Sequence, residues 1–170
     1  SRINELPIYI NDRSGLTIFD LRNIALSMYA EHGLDLLIID YLQLMRGTGD
    51  KKQNREQEIS DISRGIKALA KELRIPILAL SQLNRDCESR SDKRPRLSDL
   101  RESGSLEQDC DIALFIYRDE LYNPDTEFPN IAEIIVGKHR NGPTGVLSVY
   151  FKKHITQFVD LEVRHQPLEY

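Results

Sequence analysis

Leu34-Asp35-Leu36-Leu37-Ile38-Ile39-Asp40-Tyr41 decides the fold. It is a short, nearly continuous apolar run with no alternation. That reads as a strand buried on both faces, the pattern of a parallel sheet. A helix is expected before it. Thr17-Ile18-Phe19-Asp20 is a capping box, Ile18, Leu21, Ile24, Ala25, Met28 and Tyr29 follow at helical spacing, and Gly33 stops them. A further short strand is expected at Pro7–Ile10.

Downstream, the polar loop Arg46–Arg55 leads into a long helix with Ile59, Ile62, Ile66, Leu69, Ala70 and Leu73 on one face. Gly65 should weaken that helix by about 1 kcal/mol relative to alanine. Pro76 ends it and opens a second buried strand, Ile77–Ser81. After a charged loop and one or two helical turns near Ser103–Asp109, a third buried strand spans Asp111–Tyr117. Ile131–Lys138, Val146–Phe151 and Thr156–Leu161 follow with short connections, which suggests antiparallel pairing. Three buried strands joined by crossovers imply a parallel α/β sheet with an antiparallel extension.

Composition agrees with a folded domain. Leu, Ile, Val and Phe make up 29% of the 170 residues, above the level at which chains stay disordered. No apolar run approaches the length of a membrane span. Cys87 and Cys110 make neither a disulfide framework nor a zinc site, so a reducing, cytosolic location is the default. The net charge is −4, yet residues 46–101 carry 14 Lys/Arg against 9 Asp/Glu. An anionic partner is one reading of that basic middle. On charge alone, solvated loops are the simpler one.

In open α/β sheets ligands bind beyond the carboxyl ends of the strands. Asp40 stands at the first such end, Ser81-Gln82 at the second, and Gly137-Lys138-His139-Arg140-Asn141-Gly142-Pro143 at the end of Ile131–Val136. A carboxylate there suits magnesium, an amide can read a terminal phosphate, and cations neutralise a transferring phosphoryl group. Each has a plainer alternative: a strand cap, a loop hydrogen-bonder and a solvated edge, with His139 a surface residue. Nowhere does Gly-x-x-x-x-Gly-Lys-Ser/Thr occur, so the chain has no phosphate loop of the usual kind.

Four segments together resemble one family. Leu37–Met45 (Leu-Ile-Ile-Asp-Tyr-Leu-Gln-Leu-Met) is similar to the second nucleotide-binding motif of DnaB-type replicative DNA helicases, and Ile75–Arg85 to their next motif. Arg94–Asp111 resembles their DNA-binding motif, and Lys138–Gly145 the segment with their arginine finger. The order and separations also match.

The resemblance implies a RecA-like motor domain with a mostly parallel sheet, flanking helices and an antiparallel C-terminal extension. It implies a ring of six, with ATP between subunits and single-stranded DNA through the centre. Asp40 would organise Mg2+, through water, and Gln82 would sense the terminal phosphate. Lys138 and Arg140 would reach the neighbour's ATP, Arg140 as finger. Arg101, Glu102 and Gly104 would contact the DNA backbone. The loop Arg46–Arg55 is a further candidate for the channel.

Primase and a helicase loader are implied partners, in a bacterial or plastid-type cytoplasmic replication machinery. The family's phosphate loop and water-activating glutamate lie upstream of the matched segment, as does its amino-terminal domain. The expectation is therefore the C-terminal portion of the motor domain, over residues 1–170, truncated before the phosphate loop and inactive alone. Its exposed sheet edge would call for a compensating contact such as dimerisation. Two other readings stay open: a non-catalytic DNA-binding or assembly module, and a fragment of a RecA-like recombination or clock-type ATPase.

Overall fold

The computed structural model describes residues 5–47 and 54–161, with side chains described throughout that span except at 101–104. The chain divides into two compact units. The first comprises Ser1–Gln82 and Ser103–Asp109, the second Leu83–Glu102 and Cys110–Tyr170.

In the first unit, helix α1 (Ile18–His32) starts at Thr17, whose side chain accepts from the Asp20 N–H while Asp20 accepts from the Thr17 N–H. Strand β1 (Leu37–Ile39) follows, then a single 3-10 turn at Leu42–Leu44. Helix α2 (Arg55–Leu73) is capped by Asn54 and closes on Arg74 in the left-handed region (φ 57°). Strand β2 (Ile77–Ala79) lies parallel to β1, with Ile39 opposite Ala79. Helix α3 (Gly104–Asp109) completes the unit. The core joins Leu21 and Ala25 of α1, Ile39, Leu42 and Met45, and Ile59, Ile62, Leu69 and Leu73 of α2. Buried Ser63 donates to Asp109 Oδ2 at 2.7 Å, tying α2 to α3.

Gly65 is not merely a weak point of α2. A Cβ there would collide with Ile18 Cγ1, so the bare backbone lets α1 approach.

In the second unit, strands β3 (Ile112–Tyr117), β4 (Ile131–His139), β5 (Gly145–Lys152) and β6 (Gln157–Asp160) form one antiparallel sheet in that order. Ala132, Val149 and Phe151 are its buried centre, and the Arg118 guanidinium lies 4.3 Å over the Phe151 ring. Glu120 holds the sheet's end together. It pairs with Arg118 and with Lys153 (2.5 Å), and accepts the Asn130 N–H at 3.0 Å. Burial pushes its carboxyl up, but these three donors outweigh burial and hold it at about 2.

Three expectations change. Pro7–Ile10 is not a strand; the segment is irregular, with Tyr9 stacked on His32 at 4.7 Å. None of the strands β1, β2 and β3 is buried on both faces: Ile38 is 56% and Leu78 50% exposed, and β3 alternates, with Leu114 and Ile116 out and Phe115 and Tyr117 in. Third, β3 pairs antiparallel with β4 rather than joining β1 and β2. No helix among the described residues is long and apolar enough to cross a membrane.

Two outcomes follow from this packing. Gly65→Ala gains helix propensity, about 1 kcal/mol, but must displace Ile18, at about 1–3 kcal/mol. Its urea midpoint should therefore fall, where an alanine in an open helix would raise it. The folded Glu120 carboxyl lies below its unfolded value of 4.5. Its contribution is thus complete above that value and lost as pH falls toward about 2. Glu120→Gln should lower the midpoint at pH 7 and flatten its decline with acid, as urea titrations from pH 7 to pH 2 would read out.

Candidate functional site

The carboxyl ends of β1 and β2 lie side by side because the ladder is parallel and in register. The pairing runs past the last strand residues: the Leu80 N–H donates to Ile39 O and the Leu42 N–H to Leu80 O, both at 2.9 Å. Neighbouring strands stand about 4.8 Å apart, so Asp40 and the Ser81-Gln82 step leave one sheet end together. Asp40 is exposed there, a hard oxygen donor on a rigid strand end. Among the described residues no three His, Cys, Asp or Glu converge as a metal cage. One carboxylate alone still fits magnesium, which keeps several waters and takes substrate phosphates as further ligands.

Gln82 is exposed, and its backbone is held on both sides by Gln43. The Gln82 N–H donates to Gln43 Oε1 at 3.2 Å, while Gln43 Nε2 donates to Gln82 O at 3.3 Å and to Ser81 Oγ at 3.0 Å. Gln43 is fixed in turn. Arg55 at the start of α2 donates to Gln43 O at 2.8 Å and to Met45 O at 3.3 Å, and pairs with Glu58 at 2.6 Å. The sequence reading passes over Gln43. Its one signal is a lone amide inside the apolar run Tyr41-Leu42-Gln43-Leu44-Met45.

In the second unit, Lys138 and Arg140 stand at the carboxyl end of β4, Lys138 opposite Ala113 beside a bulge between Ala113 and Leu114. Arg140 donates its N–H to Asp111 O at 2.8 Å, and its Nε lies 3.2 Å from Asp111 Oδ1. Both side chains are about half exposed, so this pair is weak and screened, and Arg140 can move to another anion. Gly137 lets the Phe115 ring lie against β4; a Cβ would stand 2.5 Å from it. At Gly142 a Cβ would collide with the His139 ring, so His139 packs the turn and is a surface residue as expected.

The DNA-motif candidates Arg101, Glu102 and Gly104 fall at the junction of a 3-10 turn (Leu97–Ser103) and α3, and their side chains lie outside the described residues. So do residues 48–53 of the loop Arg46–Arg55. Asp99, two residues before Arg101, is buried. It is 6% exposed, paired through both oxygens with Arg90 at 2.7 Å, and accepts the Arg96 N–H at 2.8 Å. Burial pushes its carboxyl up, but the Arg90 pair and the Arg96 N–H hold it below the usual carboxylate range.

Two further cations of the basic middle are paired within their own unit. Arg94 grips Glu133 through two bonds of 2.7 Å and lies over the Tyr117 ring, and Arg96 pairs with Asp92 at 2.9 Å. A cleft of about 320 Å³ is lined by Arg94, Glu133, Asp119, Phe128, Ile131 and Ser148, none of them an expected site residue.

Comparison with known proteins places this geometry. The family model for the DnaB-like helicase C terminal domain matches residues 1–160. The replicative DNA helicase DnaB of Geobacillus stearothermophilus is 53% identical over 95% of this chain and 36% of its own length. The replicative DNA helicase DnaC of Bacillus subtilis (strain 168) is 52% identical over 92% of this chain and 35% of its own. The chain thus spans about a third of the length of the curated relatives it matches.

Two solved structures superpose closely. One, of an ATPase domain, gives a TM-score of 0.90 at 44% identity, over 94% of this chain and 57% of that one. A DnaB-like replicative helicase studied with primase gives 0.87 at 44% identity, over 94% of this chain and 38% of that one. The RecA-like α/β fold expected from the four motifs is borne out, and the chain belongs to the DnaB-like helicase C-terminal domain family.

Proposed function

We propose that the chain is the C-terminal part of the ATP-driven motor of a replicative DNA helicase. That motor is a ring of six that moves 5′ to 3′ on single-stranded DNA and unwinds duplex at the fork. The observation that carries this reading is the parallel β1–β2 ladder, which brings Asp40 and Gln82 to one sheet end in a chain of this family. Asp40 takes the role of the acid that organises Mg2+, and bound Mg2+ supplies neutralisation of phosphate charge. Gln82 hydrogen-bonds the terminal phosphate of ATP and reports its state to the DNA-binding segment.

Lys138 and Arg140 serve the ATP of the neighbouring subunit, with Arg140 as the finger. Its exposure and weak hold on Asp111 support a side chain that can leave its resting partner. Arg101, Glu102 and Gly104 meet the DNA backbone. Arg101 supplies a cation, and Gly104 permits close approach of a donating N–H. The pairing of Arg90, Arg94 and Arg96 within their own unit weakens the rival reading of a non-catalytic module that binds DNA through its basic middle. Primase and a loader are the protein partners, in the cytoplasm of a bacterium or its plastid equivalent.

In the full-length helicase, Arg140→Ala should cut ATP turnover about 10³-fold while leaving nucleotide affinity within a few-fold, because a finger acts on transition-state charge. Wild-type turnover in steady-state assays would remove Arg140 from that role. Arg101→Ala should weaken single-strand binding at every sequence and reduce the slope of log K against log salt by about 0.7. A binding titration across salt with an unchanged slope would take Arg101 off the phosphates.

A further inference from the structure

We propose that Gln43 is the positioning residue for Gln82, and that its side-chain amide sets how strongly DNA stimulates ATP hydrolysis. The proposal rests on the reading of Gln82 as the phosphate sensor.

Backbone pairing between the two strand ends stops at Leu42 and Leu80. Beyond that point a chain would leave the sheet as a loose loop, and a sensor on a loose loop reads poorly. Gln43 extends the ladder with a side chain. Its carboxamide presents an acceptor oxygen and an NH2 with two donors in one plane, so it can pair with a peptide group on both sides. Oε1 takes the Gln82 N–H, and Nε2 gives to Gln82 O and Ser81 Oγ. The Ser81 hydroxyl gives to the same Gln82 carbonyl at 3.3 Å. The main chain of Gln82 is thereby fixed on both its polar groups. Its own side-chain amide makes no hydrogen bond among the described residues and is left to a ligand.

The clamp is itself anchored. Leu42 and Met45, on either side, are 1% and 5% exposed and sit in the core. Arg55 holds the carbonyls of Gln43 and Met45 from the first turn of α2. A shift at the start of α2 therefore reaches the backbone of Gln43, and through its amide the backbone of Gln82. Every bond in that path lies within one unit of the chain.

The test uses the full-length helicase and compares Gln43→Ala, Gln43→Glu, Ser81→Ala and Gln82→Ala. Gln43→Glu keeps size and the acceptor but loses the donor, and sets a carboxylate against Gln82 O. The expected result is a DNA-stimulated kcat about tenfold lower for both Gln43 variants, with KM for ATP within about twofold and a smaller loss for Ser81→Ala. Hydrogen exchange at the Gln82 amide should quicken in the absence of nucleotide, while the unfolding midpoint stays near wild type.

If Gln43→Ala keeps full DNA stimulation while Gln82→Ala loses it, the positioning role is overturned and the sensor reading stands. If Gln82→Ala itself keeps full stimulation, the sensor reading falls and this proposal with it. A kcat loss matched by a lowered unfolding midpoint and no local change in exchange would make Gln43 a structural staple only, and would also overturn it.

Discussion

The register of two three-residue strands governs what the first unit can do. Leu37, Ile38 and Ile39 pair in parallel with Ile77, Leu78 and Ala79, and this register brings Asp40 beside Ser81-Gln82. So few ladder bonds would not hold two strands in water, since even an isolated hairpin is marginal. The register is held from one side by the core, where Ile39, Leu42 and Met45 lock into the stripe of α2 formed by Ile59, Ile62, Leu69 and Leu73. A slip of one residue would turn Ile39 out and Ile38 in, and would carry Asp40 to the wrong face. Packing under the sheet thus determines which residues stand together at its end.

That division explains what can be read from the residues alone. The capping box at Thr17, the apolar stripe of α2 and the stop at Pro76 are local signals, and the structure repeats them almost residue for residue. The direction of β3 is not readable. Ile112-Ala113-Leu114-Phe115-Ile116-Tyr117 is apolar at every position, so its alternate burial and its antiparallel partner leave no mark in the sequence. The two strand-end residues Asp40 and Gln82 are visible because each ends an apolar run. Gln43 is not, because an amide declares its role only through the partners it meets, here 38 and 39 residues away.

Charge is the least readable property. Counting cations over residues 46–101 leaves a surface for a polyanion open beside the simpler reading of solvated loops, and the folded chain commits Arg90, Arg94 and Arg96 to acids of its own unit. The buried pair of Asp99 and Arg90 is costly to desolvate and contributes little net stability. What it supplies is shape. With both oxygens of Asp99 satisfied by Arg90 and the Arg96 N–H, and the Asn84 N–H on Asp99 O at 3.0 Å, the loop from 84 to 99 closes on itself just before the DNA-motif residues. Such closure lowers the entropy that ordering this loop would otherwise cost on binding.

Helix α2 touches both the turn that carries Gln43 and helix α3 inside the first unit. Its 19 residues make a rod of about 28 Å. At one end Arg55 grips the carbonyls of Gln43 and Met45, and about two turns on, buried Ser63 grips Asp109 of α3. The helix is stiff because its hydrogen bonds are internal and one whole face is packed, so displacement at one grip appears at the other rather than being absorbed between them. α3 starts at Gly104, the last of the three DNA-motif residues. Within the first unit a single helix therefore joins the turn that carries Gln43 to the last residue of α3.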